Sequence, residues 1–239
     1  MSGHDHTRVQ EFFGSRAAGW DDRFADDLPR YTAATHELAL RPGDAVLDAG
    51  CGTGRALPPL RERVGPAGTV LGADLTPEML GEARRRGRDR AALLLLADVS
   101  RLPLSDGALD AVFAAGLIAH LPEPVAGLRE LARVVRPDGR LVLFHPLGRA
   151  ALAARQGRRP GPGDLRARPH LTALLSAAGW HLLTYVDEDE RFLAVSRRST
   201  EAEADAGADA DAGAGAGADS ADKDGAEGRG SRTGTEETA

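Results

Sequence analysis

Short apolar runs recur along the chain at residues 45–49, 69–74, 93–98, 109–115 and 140–144, and charged stretches with helical spacing separate most of them. Runs that are apolar on both faces and alternate with helices predict a parallel sheet covered on both sides. A helix follows the first run, its start blurred by Pro58-Pro59 and its end near Gly65. Thr76-Pro77-Glu78 supplies an N-cap residue, a proline at the first helical position and an acid in the first turn, which together start a helix. From Pro124 to Val135, the residues Leu128, Leu131, Ala132 and Val135 fall three and four apart, and Pro137-Asp138-Gly139 is expected to turn the chain into the fifth strand. A last helix over 171–178 stops at Gly179. Beyond it, HLLTYVDEDERFLAVSRR reads as two strands joined at Asp187-Glu188-Asp189-Glu190. A tight turn makes that pair antiparallel, so the fold class is α/β, mostly parallel with one reversed strand.

Composition divides the 239 residues into a helical N-terminal cap (1–40), one α/β domain (41–198) and a tail (199–239). From Thr200 onward the chain has no aromatic residue and no Leu, Ile, Val or Phe. It is expected to be disordered, because it cannot bury enough apolar surface to offset the entropy of ordering. The tail holds 11 of the 36 acidic residues and 3 of the 30 basic ones, leaving 27 basic against 25 acidic in the body. A near-neutral body with an acidic tail argues against a nucleic-acid partner. No apolar run approaches the roughly 20 residues of a membrane span, and MSGHDHTRVQ lacks the apolar centre of a signal peptide. With Cys51 the only cysteine, no internal disulfide or Cys-rich metal site can form. A cytoplasmic protein, monomeric or homodimeric, is expected.

Two N-terminal features carry further expectations. Phe12, Phe13, Trp20, Phe24 and Tyr31 are five of the ten aromatics and all precede the first strand. Such a cap either covers an edge of the sheet or closes over a ligand, with Trp20 as the lid. His4-Asp5-His6 imitates a metal clamp but has no further ligand nearby, so it is expected to be disordered, with no metal.

The first strand runs straight into VLDAGCGTG, residues 46–54. A strand ending in a glycine-rich turn that opens a helix suits an anionic or polar ligand, since the backbone can approach closely and the helix start is partially positive. A dinucleotide site wants a third glycine where Arg55 stands. Asp48, two residues before the first glycine, would repel a pyrophosphate and attract a cationic nucleoside.

Asp48-Ala49-Gly50-Cys51-Gly52-Thr53-Gly54 resembles the D/E-x-G-x-G-x-G signature of class I S-adenosylmethionine-dependent methyltransferases, in particular the branch that includes ubiquinone and menaquinone biosynthesis enzymes and the methyltransferase type 11 domain. GADLTPEML, LLADVSRLPLSDGALDAV and LRELARVVRPDGRLVLFHP match in order and spacing, from His36 to His145 and more loosely to Arg198. The resemblance implies a Rossmann-like seven-stranded sheet of order 3-2-1-4-5-7-6 with strand 7 antiparallel. It implies a cofactor, S-adenosyl-L-methionine, leaving as S-adenosyl-L-homocysteine. For the site it implies cofactor contacts from Asp48, Gly50, Cys51, Gly52, Gly54 and Gly116. Asp74 would hold the ribose hydroxyls, Asp98 the adenine amino group, Val99 would follow with its backbone, and Leu75 and Met79 would wall the ring.

The acceptor half is less constrained. His120, after the fourth strand, and His145, ending the fifth, are candidates for a general base or a substrate contact. Gly148 to Pro169 carries six arginines against Asp164 alone, either as a solvated loop or as a flap for a carboxylate- or phosphate-bearing acceptor. Phe113-Ala114-Ala115-Gly116 stands where base-amino methyltransferases carry Asp/Asn-Pro-Pro-Tyr and where the quinone enzymes carry Phe-Gly-x-Arg-Asn. A thiol-based arsenic methyltransferase is excluded by the single cysteine. The reading is methyl transfer to an O, N or C atom of a small molecule. A catalytically silent cofactor- or metabolite-binding protein and an NAD-dependent oxidoreductase are the alternatives.

Overall fold

A computed structural model describes residues 3–200, with side chains from His6 onward, so the expected disordered tail lies outside the described residues save for its first two positions. Helices α1 (Gly3–Gly14), α2 (Trp20–Arg23) and α3 (Leu28–His36) precede strand β1 (Ala45–Ala49). Then come α4 (Leu57–Val64), β2 (Thr69–Asp74), α5 (Pro77–Arg85), β3 (Leu93–Leu96) and β4 (Leu109–Ala115). The chain closes with α6 (Pro124–Val134), β5 (Val135–His145), α7 (Arg149–Arg155), α8 (Arg168–Ala177), β6 (Trp180–Glu188) and β7 (Arg191–Arg198). The seven strands form one sheet in the order β3-β2-β1-β4-β5-β7-β6. Strands β1 to β5 pair in parallel, and β7 runs antiparallel to both β5 and β6.

Alternation along the strands builds two cores. Val46, Val70, Phe113, Val142 and Phe144 pack with Leu57, Leu60 and Val64 of α4 on one face. Leu47, Leu71, Val112, Leu141 and Leu143 meet Leu128 and Leu131 of α6 and Leu171 and Leu175 of α8 on the other. Asp48 follows the same period. It shares a face with Val46, and that face continues beneath the N-terminal cap.

Four expectations change. The third strand stops at Leu96 and is an edge, so Leu93 and Leu96 are exposed and the run is not apolar on two buried faces. Pro137-Asp138-Gly139 lies inside β5 and does not precede it. Asp138 takes φ 62°, the pairing with β4 shifts between Leu109 and Ala111, and a bulge there tolerates the missing proline N–H. The arginine-rich stretch contains a helix, α7. Finally, residues 3–14 are helical and not disordered, although the side chains of His4 and Asp5 lie outside the described residues.

Two acids behave as turn and strand-entry residues. Asp110 accepts hydrogen bonds from Ala45 N–H at 2.8 Å and Arg136 Nε at 2.7 Å, tying β1 to the start of β5. Asp106 accepts from Arg133 at 2.6 Å. Among the described residues no helix is long and apolar enough to cross a membrane.

Trp180 fixes the far end of the sheet to its helices: it is 2% exposed and its indole N–H donates to the Leu128 carbonyl at 2.9 Å. Trp180→Ala is expected to cost about 3–5 kcal/mol, read as a lower denaturant midpoint; a loss under about 1 kcal/mol would mean that this corner repacks freely.

Candidate functional site

Strand order reverses beside β1, whose neighbours β2 and β4 connect onward in opposite directions, and such a switch point opens a crevice at the carboxyl ends of the strands. A cavity of about 800 Å³ occupies that crevice. Asp48, Asp74 and Asp98 all line it, at or just past the ends of β1, β2 and β3.

The three acids are held differently. Asp48 is 2% exposed, and among the described residues no hydrogen bond or ion pair reaches its carboxylate. Burial, with a smaller push from Asp74, raises its pKa to about 8. Asp74 accepts the backbone N–H groups of Gly52 and Thr76, each at 2.8 Å. Burial still holds its pKa above the ordinary carboxylate value, against those hydrogen bonds. Asp98 accepts the Ser100 N–H at 2.8 Å and lies 3.2 Å from Nε2 of His6 on α1.

The glycine turn explains why residues 50–54 are small. Gly52 has φ 56°, and a Cβ there would meet only the Met79 sulfur at 4.0 Å before projecting into the cavity. Gly54 has another job. Its φ is 81°, a Cβ would meet Leu57 at 2.8 Å, and it does not line the cavity. It lets α4 pack under the turn. Gly50, Cys51, Leu75, Met79, Val99 and Gly116 all line the cavity, as do Trp20, His120 and His145. Cys51 is buried, and burial raises its thiol pKa well above the ordinary value.

The cap closes over this crevice and leaves the β3 edge uncovered. Phe13, Trp20 and Phe24 form an aromatic chain, the first pair edge-to-face with centroids 5.6 Å apart and the second tilted at 5.0 Å, and line the cavity. Tyr31 packs on Phe113 and Phe144, and its burial lifts the phenol pKa to about 12. A polar knot then ties cap to turn. Asp21, 7% exposed, accepts the Thr53 hydroxyl at 2.5 Å and Arg88 at 2.5 Å, while Arg88 also donates to the Thr53 carbonyl at 2.7 Å. Arg55, 5% exposed, donates to the Phe24 carbonyl, sits 4.0 Å from Asp27 and stacks 4.8 Å over the Tyr31 ring. The residue that breaks the dinucleotide pattern is therefore an anchor for the cap.

The two histidines differ. At the end of β5, His145 has Nδ1 within 2.9 Å of the Leu147 carbonyl and 3.0 Å of its N–H, which leaves Nε2 for the cavity. Burial, with the nearby Arg166 and Arg155 cations, pushes its pKa down to about 4. His120, in a short turn after β4, meets the Phe13 ring edge-on at 5.0 Å, and desolvation lowers its pKa too.

The cavity also gathers residues that the sequence did not single out for the site, among them His6, Arg23, Asp27 and Phe192. The cluster of N-terminal aromatics and the arginine-rich stretch signalled this wall in advance. The other contacts join positions far apart in sequence, which local patterning does not record.

A crevice at the switch point of this strand order, lined by acids at or just past the ends of three adjacent strands, is where an open α/β sheet binds its ligand. Residues 47–143 match the family model described as a methyltransferase domain. It is 38% identical over 111 residues to the demethylmenaquinone methyltransferase of Beutenbergia cavernae, covering 46% of this chain and 44% of that protein. It is 42% identical over 111 residues to the malonyl-[acyl-carrier protein] O-methyltransferase of Serratia marcescens, covering 46% of this chain and 41% of that one. The chain spans under half the length of these curated relatives. A solved SAM dependent methyltransferase from Aquifex aeolicus superposes with a TM-score of 0.65 at 25% identity, covering 78% of this chain and 98% of that chain.

Asp21 offers a test of the knot. Burial pushes its carboxyl pKa up, but the hydrogen bonds from Arg88 and Thr53 and the charges of Arg88 and Arg86 hold it below the ordinary value. Its stabilisation is thus fully present above the unfolded pKa of about 3.9 and is lost as pH falls through the folded value. Asp21→Asn is expected to cost about 1.5–3 kcal/mol at neutral pH and to speed tryptic cleavage at Arg23 and Arg30, with the difference from the parent shrinking as pH drops below about 4. Equal cleavage rates would show that the cap stands without the knot.

Proposed function

We propose that this chain is an S-adenosylmethionine-dependent methyltransferase acting on an O, N or C atom of a small molecule. The observation that carries the reading is Asp48, a buried carboxylate without a protein partner, facing the cavity above a bare glycine turn. An unpartnered buried charge is costly, and a cationic ligand group is what would offset it. A pyrophosphate in the same place would compound the cost, which disfavours a dinucleotide.

The residues present fit the cofactor. Asp48 would hold its cationic amino-acid end against the turn at Gly50 to Gly52. Asp74, with one backbone N–H on each oxygen, keeps lone pairs for the ribose hydroxyls. Asp98 would take the adenine amino group, with Leu75, Met79 and Val99 as apolar walls. When bound, the cofactor supplies an already activated methyl group, so the protein's task is positioning. Well-oriented reactants recover roughly 7–11 kcal/mol of barrier, and the aromatic cap excludes water from the crevice. With a pKa of about 4, His145 stays neutral at physiological pH and is too weak a base to take a full proton; it orients the acceptor through Nε2. His120, at the mouth, is the candidate proton acceptor for an acidic O–H or N–H.

Thermal-shift titration of the full chain separates the readings. S-adenosylmethionine and S-adenosylhomocysteine at 100 times their dissociation constants are expected to stabilise by about 2.7 kcal/mol, and NAD by nothing comparable. No shift with either sulfur ligand would falsify the reading. Asp48 adds a pH signature: it is protonated below about 8 in the free chain, and a bound cation favours the ionised form. Affinity for S-adenosylhomocysteine should rise up to about tenfold per pH unit from about pH 6 to 8, with a proton released on binding. Calorimetry in buffers of different ionisation enthalpy reads that proton, and in Asp48→Asn it should vanish while binding weakens.

A further inference from the structure

We infer that the methyl acceptor carries an anionic group, a carboxylate or a phosphate monoester, that seats against guanidinium groups on the wall that the cap and the 148–169 stretch give the cavity. The inference rests on the proposed cofactor reading of the glycine turn, because that ligand would occupy Asp48, Asp74 and Asp98 and leave this wall to the acceptor.

The structure sorts the six arginines of the 148–169 stretch. Arg149 is committed to Asp187 at 2.8 Å and lies 3.8 Å from Asp164. Arg159 and Arg168 do not line the cavity, and Arg168 stacks over Tyr185 instead. Three remain. Arg155 lies 5.5 Å over the Phe24 ring of the cap and, among the described residues, has no carboxylate partner. Among the described residues the Arg158 guanidinium donates only to the Gln156 side chain, at 2.9 Å. Arg166 is 9% exposed and is fixed from several sides. Asp164 takes its Nε at 3.3 Å, the Tyr185 hydroxyl donates to its carbonyl at 2.8 Å, and its guanidinium lies 5.7 Å from the Phe192 ring centre.

The cap adds Arg23, which also has no carboxylate partner among the described residues, whereas Arg55 is committed to the Phe24 carbonyl and to Asp27. On this side Asp27 is the one acid among the lining residues, and Asp164 behind the wall answers only Arg166 and Arg149. His145 beside them is uncharged at neutral pH and does not add to the charge. The wall therefore holds more guanidinium charge than carboxylate, partly desolvated and backed by Phe24 and Phe192. Planar forks in such a setting pair with carboxylate or phosphate oxygens in a way no neutral group matches. A neutral acceptor would cover Arg155 and Arg166 without replacing the water they lose.

The test uses the full chain saturated with S-adenosylhomocysteine and matched probes: 4-hydroxybenzoate against 4-hydroxybenzamide, and phenyl phosphate against phenol. Thermal shift and calorimetry should show at least one anionic probe binding about tenfold or more tightly than its neutral partner, with the gap narrowing as ionic strength rises. Comparison of the two pairs separates carboxylate from phosphate. Arg155→Gln, at an exposed site, should narrow the gap several-fold, and Arg166→Gln should narrow it further if that variant folds. Equal binding of charged and neutral partners, no binding by either anion, or a gap unchanged in Arg155→Gln would overturn the inference. Failure of S-adenosylhomocysteine itself to bind would instead remove the methyltransferase reading, so the two failures are distinguishable.

Discussion

A carboxylate buried with no protein partner is the constraint from which the rest of this molecule follows. Asp48 sits on the same face of β1 as Val46, so the alternation that builds the core also drives an acid under the cap. In the free chain the cost appears as a pKa raised to about 8, against about 3.9 for an unfolded aspartate. Between those two values the folded state binds more protons than the unfolded one, so stability falls as pH rises through that window. A protein retains such a group where something else neutralises it. The bare turn at Gly52 and the aromatic residues of the cap line the cavity that Asp48 faces.

The cap is joined to the turn by the turn's own residues. Thr53 and Arg55, which flank Gly54, reach into the cap through Asp21 and the Phe24 carbonyl. Any ligand that orders residues 50–54 thereby orders the lid, and any motion of the lid is felt at the turn. His6 adds a second contact on the opposite side, against Asp98. The acid expected to meet an adenine amino group is therefore also in contact with the cap.

What the sequence revealed and what it hid follow from one distinction, whether the information was local. β1, β2 and β4 were legible because their side chains are buried on both faces, and α5 because Thr76-Pro77-Glu78 starts it unaided. The leucine run of β3 looked the same as theirs, but nothing in it reports that the strand is an edge. Pro137 marked an irregularity and not a boundary, since a bulge absorbs it. α7 escaped because its short Ala-Ala-Leu-Ala-Ala centre is flanked by arginines, glycines and prolines. Asp48, Asp74 and Asp98 were legible through spacing within βα units. Arg55 could be read only as a missing glycine, because its partners lie 24 to 31 positions earlier in the chain.

The cavity brings acids at or just past the ends of three adjacent strands together with arginines from the cap, the turn and the segment around α7. Strand ends are fixed by the sheet's register, so the acids are rigidly placed and their chemistry is inherited with the fold. The arginine-bearing wall stands on α2, on α7 and on the chain leading into α8, short elements whose positions depend on side-chain pairs such as Arg149 with Asp187 and Tyr185 with Arg166. Substitutions there can re-aim an arginine without disturbing β1, whereas substitutions at Asp48 cannot be separated from the sheet. The acids could thus be read from a motif, whereas the arginine-rich stretch stood open between a solvated loop and an anion-attracting flap until three-dimensional contacts sorted its arginines.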